Sequence, residues 1–365
     1  MKALTVGGAM IDTIAIIAND RIERMTMLNA DHSFLLLEEG RKTEATEIGT
    51  HVGGGAVNAA VAMARLGADV SALAKLGKDQ RAETVLAHLM QEGVSTRWAV
   101  RDGRAPTGAS VLVSSHDRNA AIFTFRGANT LLEEADLRDE AFAVDAVYVS
   151  SLSNESADTF PAIIAKAKAS GALVAANPRV RQLSSRAKAF QEALSRIDIL
   201  AVNRVEAEVL VPGLVARFGE GGGTLPLEQG EKPPRLLARG FVGGGGHEMT
   251  LPAYFRAVRE MGVRYAIVTD GRHGAFLGTR EAIYYCPVLE TKVAGTAGAG
   301  DAFNATFTAH IAMGTAPEDA LRAAALNSAS VVAYVDTQSG LLTREQMAQE
   351  LEKRRNELPV RTWPH

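Results

Sequence analysis

From Asp145 to Thr269 the chain alternates short apolar runs with longer amphipathic ones, and this rhythm constrains its fold more than any other feature. Ala146–Ser150, Leu173–Ala176, Ile197–Val202 and Tyr265–Thr269 read as strands rich in Val, Ile, Leu and Ala. Between them, Ser156–Ser170, Arg181–Ser195 and Leu251–Met261 read as helices. Uninterrupted apolar strands are buried on both faces, and successive parallel strands need a helical crossover. The pattern therefore predicts an α/β domain, a mostly parallel sheet held between two layers of helices.

The first part of the chain breaks that rhythm. Ala3–Val6 is a strand ending at Gly7-Gly8, and Thr13–Ile17, Ser33–Leu37 and Lys42–Ile48 follow as extended segments with no helix between them. After a helix at Gly55–Leu66, a strand at Val70–Leu76 and a helix at Asp79–Gln91, a second strand-rich stretch covers Trp98–Phe125. Turns fall within it at Asp102-Gly103 and His116–Asn119. These stretches predict a small β-sheet lid, residues 13–50 and 97–126, projecting from a core made of 1–12, 51–96 and 127–365. Residues 212–250 contain Gly221–Gly223, Pro233-Pro234 and Gly243–Gly246. They read as a flexible insertion of which little packs, and no strand-GxxxxGK[ST]-helix context marks them as a phosphate loop.

Composition narrows the function. The 365 residues are 47% hydrophobic and 22% charged with a net charge of -3, which suits a soluble enzyme and leaves a nucleic-acid partner without electrostatic support. The single cysteine, Cys286, has no internal disulfide partner. Gly7, Gly8 and Asp12 break the apolar start, which reads as strand, turn and strand and not as a signal peptide. No uninterrupted apolar run reaches the ~18 residues of a membrane span. The expected location is the cytoplasm, with no membrane partner.

The chemistry concentrates in Val293–Gly314, VAGTAGAGDAFNATFTAHIAMG. Gly295, Gly298 and Gly300 clear side chains from a turn, and an apolar helix follows from about Asp301 to Met313, closed by Gly314. The amides that open a helix favour an anion. Asp301 in that position would repel a phosphate unless it does chemistry, such as taking the proton of an attacking hydroxyl. A glycine turn with Asp301 as an ordinary N-cap is the alternative.

The string TAGAGDAF resembles the C-terminal signature of the ribokinase-like (PfkB) family of carbohydrate and nucleoside kinases, usually DTxGAGD followed by an apolar helix. A second stretch, His51–Gly67 (HVGGGAVNAAVAMARLG) followed by Lys75-Leu76-Gly77-Lys78-Asp79, is similar to that family's N-terminal signature. Its spacing does not suit a dinucleotide fingerprint. The resemblance implies a ribokinase-like three-layer α/β/α fold with a β-sheet lid, and a kinase using ATP and Mg²⁺. It implies Asp301 as catalytic base and the amides of Gly298, Ala299 and Gly300 as an anion hole. Asp12, Gly53, Gly54 and Asn58 take the roles of sugar-binding residues, and paired hydrogen bonds from a carboxylate and an amide suit a polyol. Asn203 and Glu206 match the NxxE element that organises Mg²⁺, with Glu206 acting through water. Thr269, Gly271 and Gly274 match the TxGxxG turn at the nucleotide, and Asn327 falls where the family places a residue beside adenine. Asn177-Pro178-Arg179 resembles the NPR stretch near the phosphates.

One position departs from the pattern. Gly295 replaces the first signature aspartate, which in the family often helps bind a monovalent cation, so K⁺ dependence is expected to be weak or absent. The lids of such kinases often pair between subunits, which implies a homodimer. Three readings stay open: a sugar kinase, preferred because Asp12, the glycine triplet and Asn58 suit a polyol; an adenosine-like nucleoside kinase; and a non-catalytic sugar-binding relative. The second needs an apolar slot for a base, for which Phe34–Leu37 or Phe123 and Phe125 are candidates. The intact Asp301 argues against the third.

Overall fold

A computed structural model describes residues 1–18, 23–26, 33–36, 40, 42–115, 120–227 and 232–364. Leu37 and the turn expected at His116–Asn119 lie outside these residues. The main sheet has nine strands in the spatial order Arg361–Pro364, Ala282–Cys286, Ala275–Gly278, Tyr265–Thr269, Ile199–Asn203, Leu173–Ala176, Ala146–Val149, Lys2–Val6, Asp69–Leu73. Tyr265–Thr269 through Asp69–Leu73 pair in parallel, and the three remaining strands are antiparallel.

Two hydrophobic clusters cover the two faces. One gathers Phe160, Ile163, Phe190, Leu210 and Phe255 from helices that follow the middle strands. The other gathers Val57, Met63, Phe303, Phe307 and Leu321 from the helices Gly55–Arg65, Ala299–Ala312 and Pro317–Val331. This is the expected three-layer arrangement. Gly55–Arg65 and Ala299–Ala312 are built largely of Ala, Gly and other small residues, and both are buried along most of their length, from Ala56 to Met63 and from Asp301 to Ala309. Small side chains let two helices and the sheet approach closely while still excluding water. The chain leaves Lys2–Val6 towards Asp69–Leu73 on one side, whereas Ala146–Val149 lies on the other. The carboxyl ends of the strands flanking Lys2–Val6 are thus the place where an open α/β sheet forms its ligand crevice.

A second, four-stranded sheet stands over this crevice in the order Ala120–Phe125, Gly108–Ser115, Met10–Ile17, Ala45–Gly53. The lid is therefore built somewhat differently from the sequence expectation. Met10–Asp12 and His51–Gly53 belong to its strands. Val100–Asp102 instead pairs in parallel with Lys75–Gly77, and Glu23–Thr26 pairs with Ser33–Leu36 as a separate ribbon. The first difference arises because Met10–Ile17 and Ala45–Gly53 are continuous strands paired along their length, so Met10–Asp12 and His51–Gly53 cannot be separated from the lid.

The glycine-rich segment also needs correcting. The helix Arg204–Phe218 runs on through Pro212, Arg235–Arg239 is helical, and Phe241–Val242 pairs with Glu248–Met249. Leu236, Phe241 and Met249 join the first core cluster, and the Phe241 ring centroid lies 4.6 Å from that of Tyr254. Turn residues marked the segment as loose, but apolar residues at its ends anchor it. Truncating Phe241 to Ala should lower unfolding free energy by about 3–5 kcal/mol. Gly244→Ala, at a position where a new methyl meets nothing within 4 Å, should change it by less than ~0.5 kcal/mol. Denaturant midpoints of the two variants check this contrast.

Candidate active site

The signature helix begins two positions earlier than its composition suggests. Ala299 is its first residue, Gly298 caps it in the left-handed region at φ 79°, and the first intrahelical bond runs from the Ala302 N–H to the Gly298 carbonyl, 2.8 Å. A side chain at Gly298 would be strained by φ and would press on Thr337, whose Cβ lies 2.6 Å from the added carbon. Asp301 is thus inside the first turn and is no N-cap. The amides of Ala299, Gly300 and Asp301 precede the first helical bond, and a Cβ on Gly300 would meet open space. Donors and a clear approach coincide there.

Asp301 is 6% exposed, and its neighbours define its orientation. Oδ2 accepts from Asn58 Nδ2 at 2.9 Å, and Oδ1 lies 3.9 Å from Arg179 Nη2. Asn58 is itself held: its oxygen accepts from Thr337 Oγ1 and from Gln338 Nε2, each at 2.9 Å. Gln338 Nε2 also donates to the Val52 carbonyl, which leaves the amide oxygen facing His88 Nε2 at 2.6 Å. His88 then donates, and each link passes a donor on towards the Asp301 carboxylate. Asn58 lies beside Asp301, at the helix start where its motif puts it. The side chain is buried, its oxygen is fully used, and it orients Asp301. Thr337 and Gln338 carried no sequence signal, because only the fold brings their loop to the two helix starts.

Asp12 approaches from the lid. In register with Ser110 and His51, it points to the sheet face turned to the crevice, and Ser110 Oγ donates to its carboxylate. Burial pushes the Asp12 carboxyl above its ordinary value; the Ser110 hydroxyl and the charge of His51 oppose the rise, and the charge of Asp301 adds to it. Gly53 lies flush against this carboxylate and leaves no room for a side chain. Gly54, at φ 102°, brings the start of the Gly55–Arg65 helix within 2.5 Å, measured from a would-be Cβ, of the Gly8 carbonyl. The glycines therefore let lid strand and core helix meet at Asp12.

On the other side of Asp301, Asn203 ends its strand and caps the next helix. Its Oδ1 accepts from the Glu206 N–H at 2.9 Å, and Glu206 Oε2 accepts from the Asn203 N–H at 2.8 Å. The pair is a capping box, but Glu206 is not solvated: it is 4% exposed, and burial pushes its carboxyl up against the opposing effects of the Asn203 bonds and the Arg179 charge. One buried carboxylate facing the crevice fits a Mg²⁺ that keeps its waters and is held mainly by substrate phosphates. Thr269 ends the adjacent strand, and Gly271 and Gly274 turn the chain at φ 52° and 90°. Asn327 does not reach the site. It is completely buried, its amide donating to Thr306 Oγ1 and accepting from the Leu342 N–H, so its side chain is turned into the core. Gly295 sits against backbone carbonyls, a Cβ there lying 3.1 Å from those of Tyr334 and Val335. No carboxylate from position 295 reaches this spot.

An α/β/α sheet, a small sheet over its crevice and a buried carboxylate at a helix start define a lidded α/β domain with an anion-favouring crevice. The chain matches the pfkB family carbohydrate kinase pattern over residues 16–214 and 246–344, the match breaking within the glycine-rich segment, and it belongs to that family. It is 25% identical over 336 residues to a deoxyribokinase of Salmonella typhi, covering 91% of this chain and 96% of that one. Its fold is shared with Arabidopsis thaliana ribokinase complexed with ribose and ATP (TM-score 0.68, 21% identity, 96% and 98% covered). It is shared equally with an Escherichia coli protein described as a Ribokinase II, in complex with ATP and Mg²⁺ (TM-score 0.73, 15% identity, 96% and 99% covered).

The Asp12 environment sets a pH test. If the ionised carboxylate binds the acceptor, kcat/KM should fall as pH drops through a pKa above the ordinary ~3.9. Ser110→Ala removes a donor to the charged form, so the acid limb should move to higher pH; an unmoved limb would separate Asp12 from acceptor binding.

Proposed function

We propose that this carbohydrate kinase transfers the γ-phosphoryl group of ATP to a hydroxyl of a small sugar or sugar derivative. The observation that carries the reading is the buried Asp301 carboxylate, held by Asn58 beside the free amides of its own helix start. In the step, the acceptor oxygen bonds to the γ-phosphorus, the bridging bond to ADP breaks, and Asp301 takes the hydroxyl proton. The amides of the 298–300 turn receive charge on the transferring group, and Asp12 with Gly53 and Gly54 seats the acceptor. Bound Mg²⁺ would supply neutralisation of phosphate charge, with Glu206 holding its water shell. The lid excludes bulk water from the crevice, which limits wasteful hydrolysis.

The lid's other face supports the sugar reading over the nucleoside one. Phe123 and Phe125 pair with Val111 and Ala109, which puts them on the face opposite Asp12, so they form no slot for a base. There Ile48, Val111, Phe123 and Phe125 stand 67%, 45%, 58% and 52% exposed, an apolar surface suited to a second copy of the lid in a homodimer. No helix among the described residues is long and apolar enough to cross a membrane, and we place the enzyme in the cytoplasm.

Asp301→Asn should reduce kcat by at least ~10³-fold while leaving acceptor affinity within a few-fold. ATP-coupled assays and calorimetry check both halves, and near-normal turnover would sink the assignment. Because position 295 offers no carboxylate to a monovalent cation, adding K⁺ to a Na⁺- and K⁺-free assay should change kcat by less than ~2-fold. A large activation would show that backbone carbonyls alone suffice.

A further inference from the structure

We propose that the acceptor carries an acidic group, a carboxylate or a phosphate, received by Arg126 with Arg179 and Ser153 at the edge of the crevice. This deepens the sugar-kinase reading and rests on it. Ala146–Val149 and Leu173–Ala176 are neighbouring parallel strands with Val149 opposite Ala176. The loops leaving their carboxyl ends therefore stand side by side, one carrying Ser153 and the other Arg179, with Arg181 in the first turn of the helix Val180–Ser185 that follows. Arg126 arrives from a third direction. It follows the lid strand Ala120–Phe125, where the chain re-enters the core, and its Nη1 donates to Ser153 Oγ at 2.7 Å. Arg179 is 62% exposed and bridges this corner to Asp301.

Arg179 has Asp301 within 3.9 Å, but the charge of Arg126 is unbalanced. Arg65, Arg186 and Arg322 each meet a carboxylate. Among the described residues Arg126 has the Ser153 hydroxyl as its polar partner and no acid. Burial, with the charges of Arg181 and Arg179, presses its protonation below the ordinary arginine range. A partly buried guanidinium with unused donors beside two further cations is unfavourable by itself and is relieved by a bound anion. Its planar fork matches a carboxylate or a phosphate.

Arg126 belongs to the acceptor side. Three residues beyond it, Asn129 clamps Ala9 through both its amide nitrogen and its oxygen, at 2.9 Å each. Ala9 leads directly into the strand bearing Asp12. Arg179, which also lies near Glu206, stands between this corner and the metal side. A neutral sugar bound at Asp12 would leave the Arg126 charge uncompensated.

The test compares kcat/KM of the full chain, at fixed ATP, for ribose, fructose and glucose against gluconate and 2-ketogluconate, and against glucose 6-phosphate and fructose 6-phosphate. One anionic class should exceed the neutral sugars by at least ~10-fold, the two acid arms telling carboxylate from phosphate. Arg126→Gln should erase the preference through acceptor KM with ATP KM unchanged, and Arg126→Lys should restore part of it. Equal or better use of neutral sugars overturns the proposal. So does a rise in ATP KM in place of acceptor KM, which assigns the arginines to the nucleotide. If no panel member is phosphorylated, calorimetric titration of gluconate, fructose 6-phosphate and fructose into Asp301→Asn separates the two ideas. Tighter binding of an anion supports the acidic subsite while the transfer reading falls, and equal binding of all three overturns the subsite.

Discussion

The hydrogen bond from Asn58 to Asp301 joins two helix starts that lie 243 residues apart in the chain, and the rest of the site is arranged around it. Two helix N-termini brought together are both positive, which favours a carboxylate and an incoming phosphate between them. Their approach is possible because the facing residues are glycine and alanine, and because Gly54 and Gly298 adopt backbone angles that other residues resist. A larger side chain at Gly54 would press on the Gly8 carbonyl, and one at Gly298 on Thr337.

From that junction the charges divide into two groups. On one side, Asp12 comes down from the lid close enough to Asp301 for each carboxylate to feel the other's charge. On the other side, Arg179 lies near both Asp301 and Glu206, and its positive charge opposes the cost of burying Glu206. The lid side of the crevice thus carries Asp12, and the core side carries Asp301 and Glu206 with Arg179 near both.

Local pattern announced some of this directly. The alternation after Asp145 predicts the parallel sheet, and the two glycine motifs predict where the chain turns into buried helices, because both signals are set by residues adjacent in sequence. Element ends were less legible. Asp301 was read as the helix start, but Gly298 can cap in the left-handed region and the helix begins before the aspartate. Phe241 and Met249 lie among glycines and read as loop, yet their rings and chains find the core across the molecule. Asn327 failed for a related reason: sequence position names a turn of helix, and only packing decides which face that turn presents.

By itself, then, the sequence determined the sheet-and-helix architecture and the glycine turns, since apolar spacing and turn chemistry act over a few residues, while the carboxylates Asp12 and Glu206 were singled out only by the resemblance of their motifs. Tertiary structure alone decided what each carboxylate touches. Asn58 became the partner of Asp301, with Gln338, Thr337 and His88 ranked behind it, because folding buried their amides and hydroxyls where no water could satisfy them. Arg126 acquired its place beside Ser153 in the same way, through a lid strand that returns to the core next to two strand-end loops.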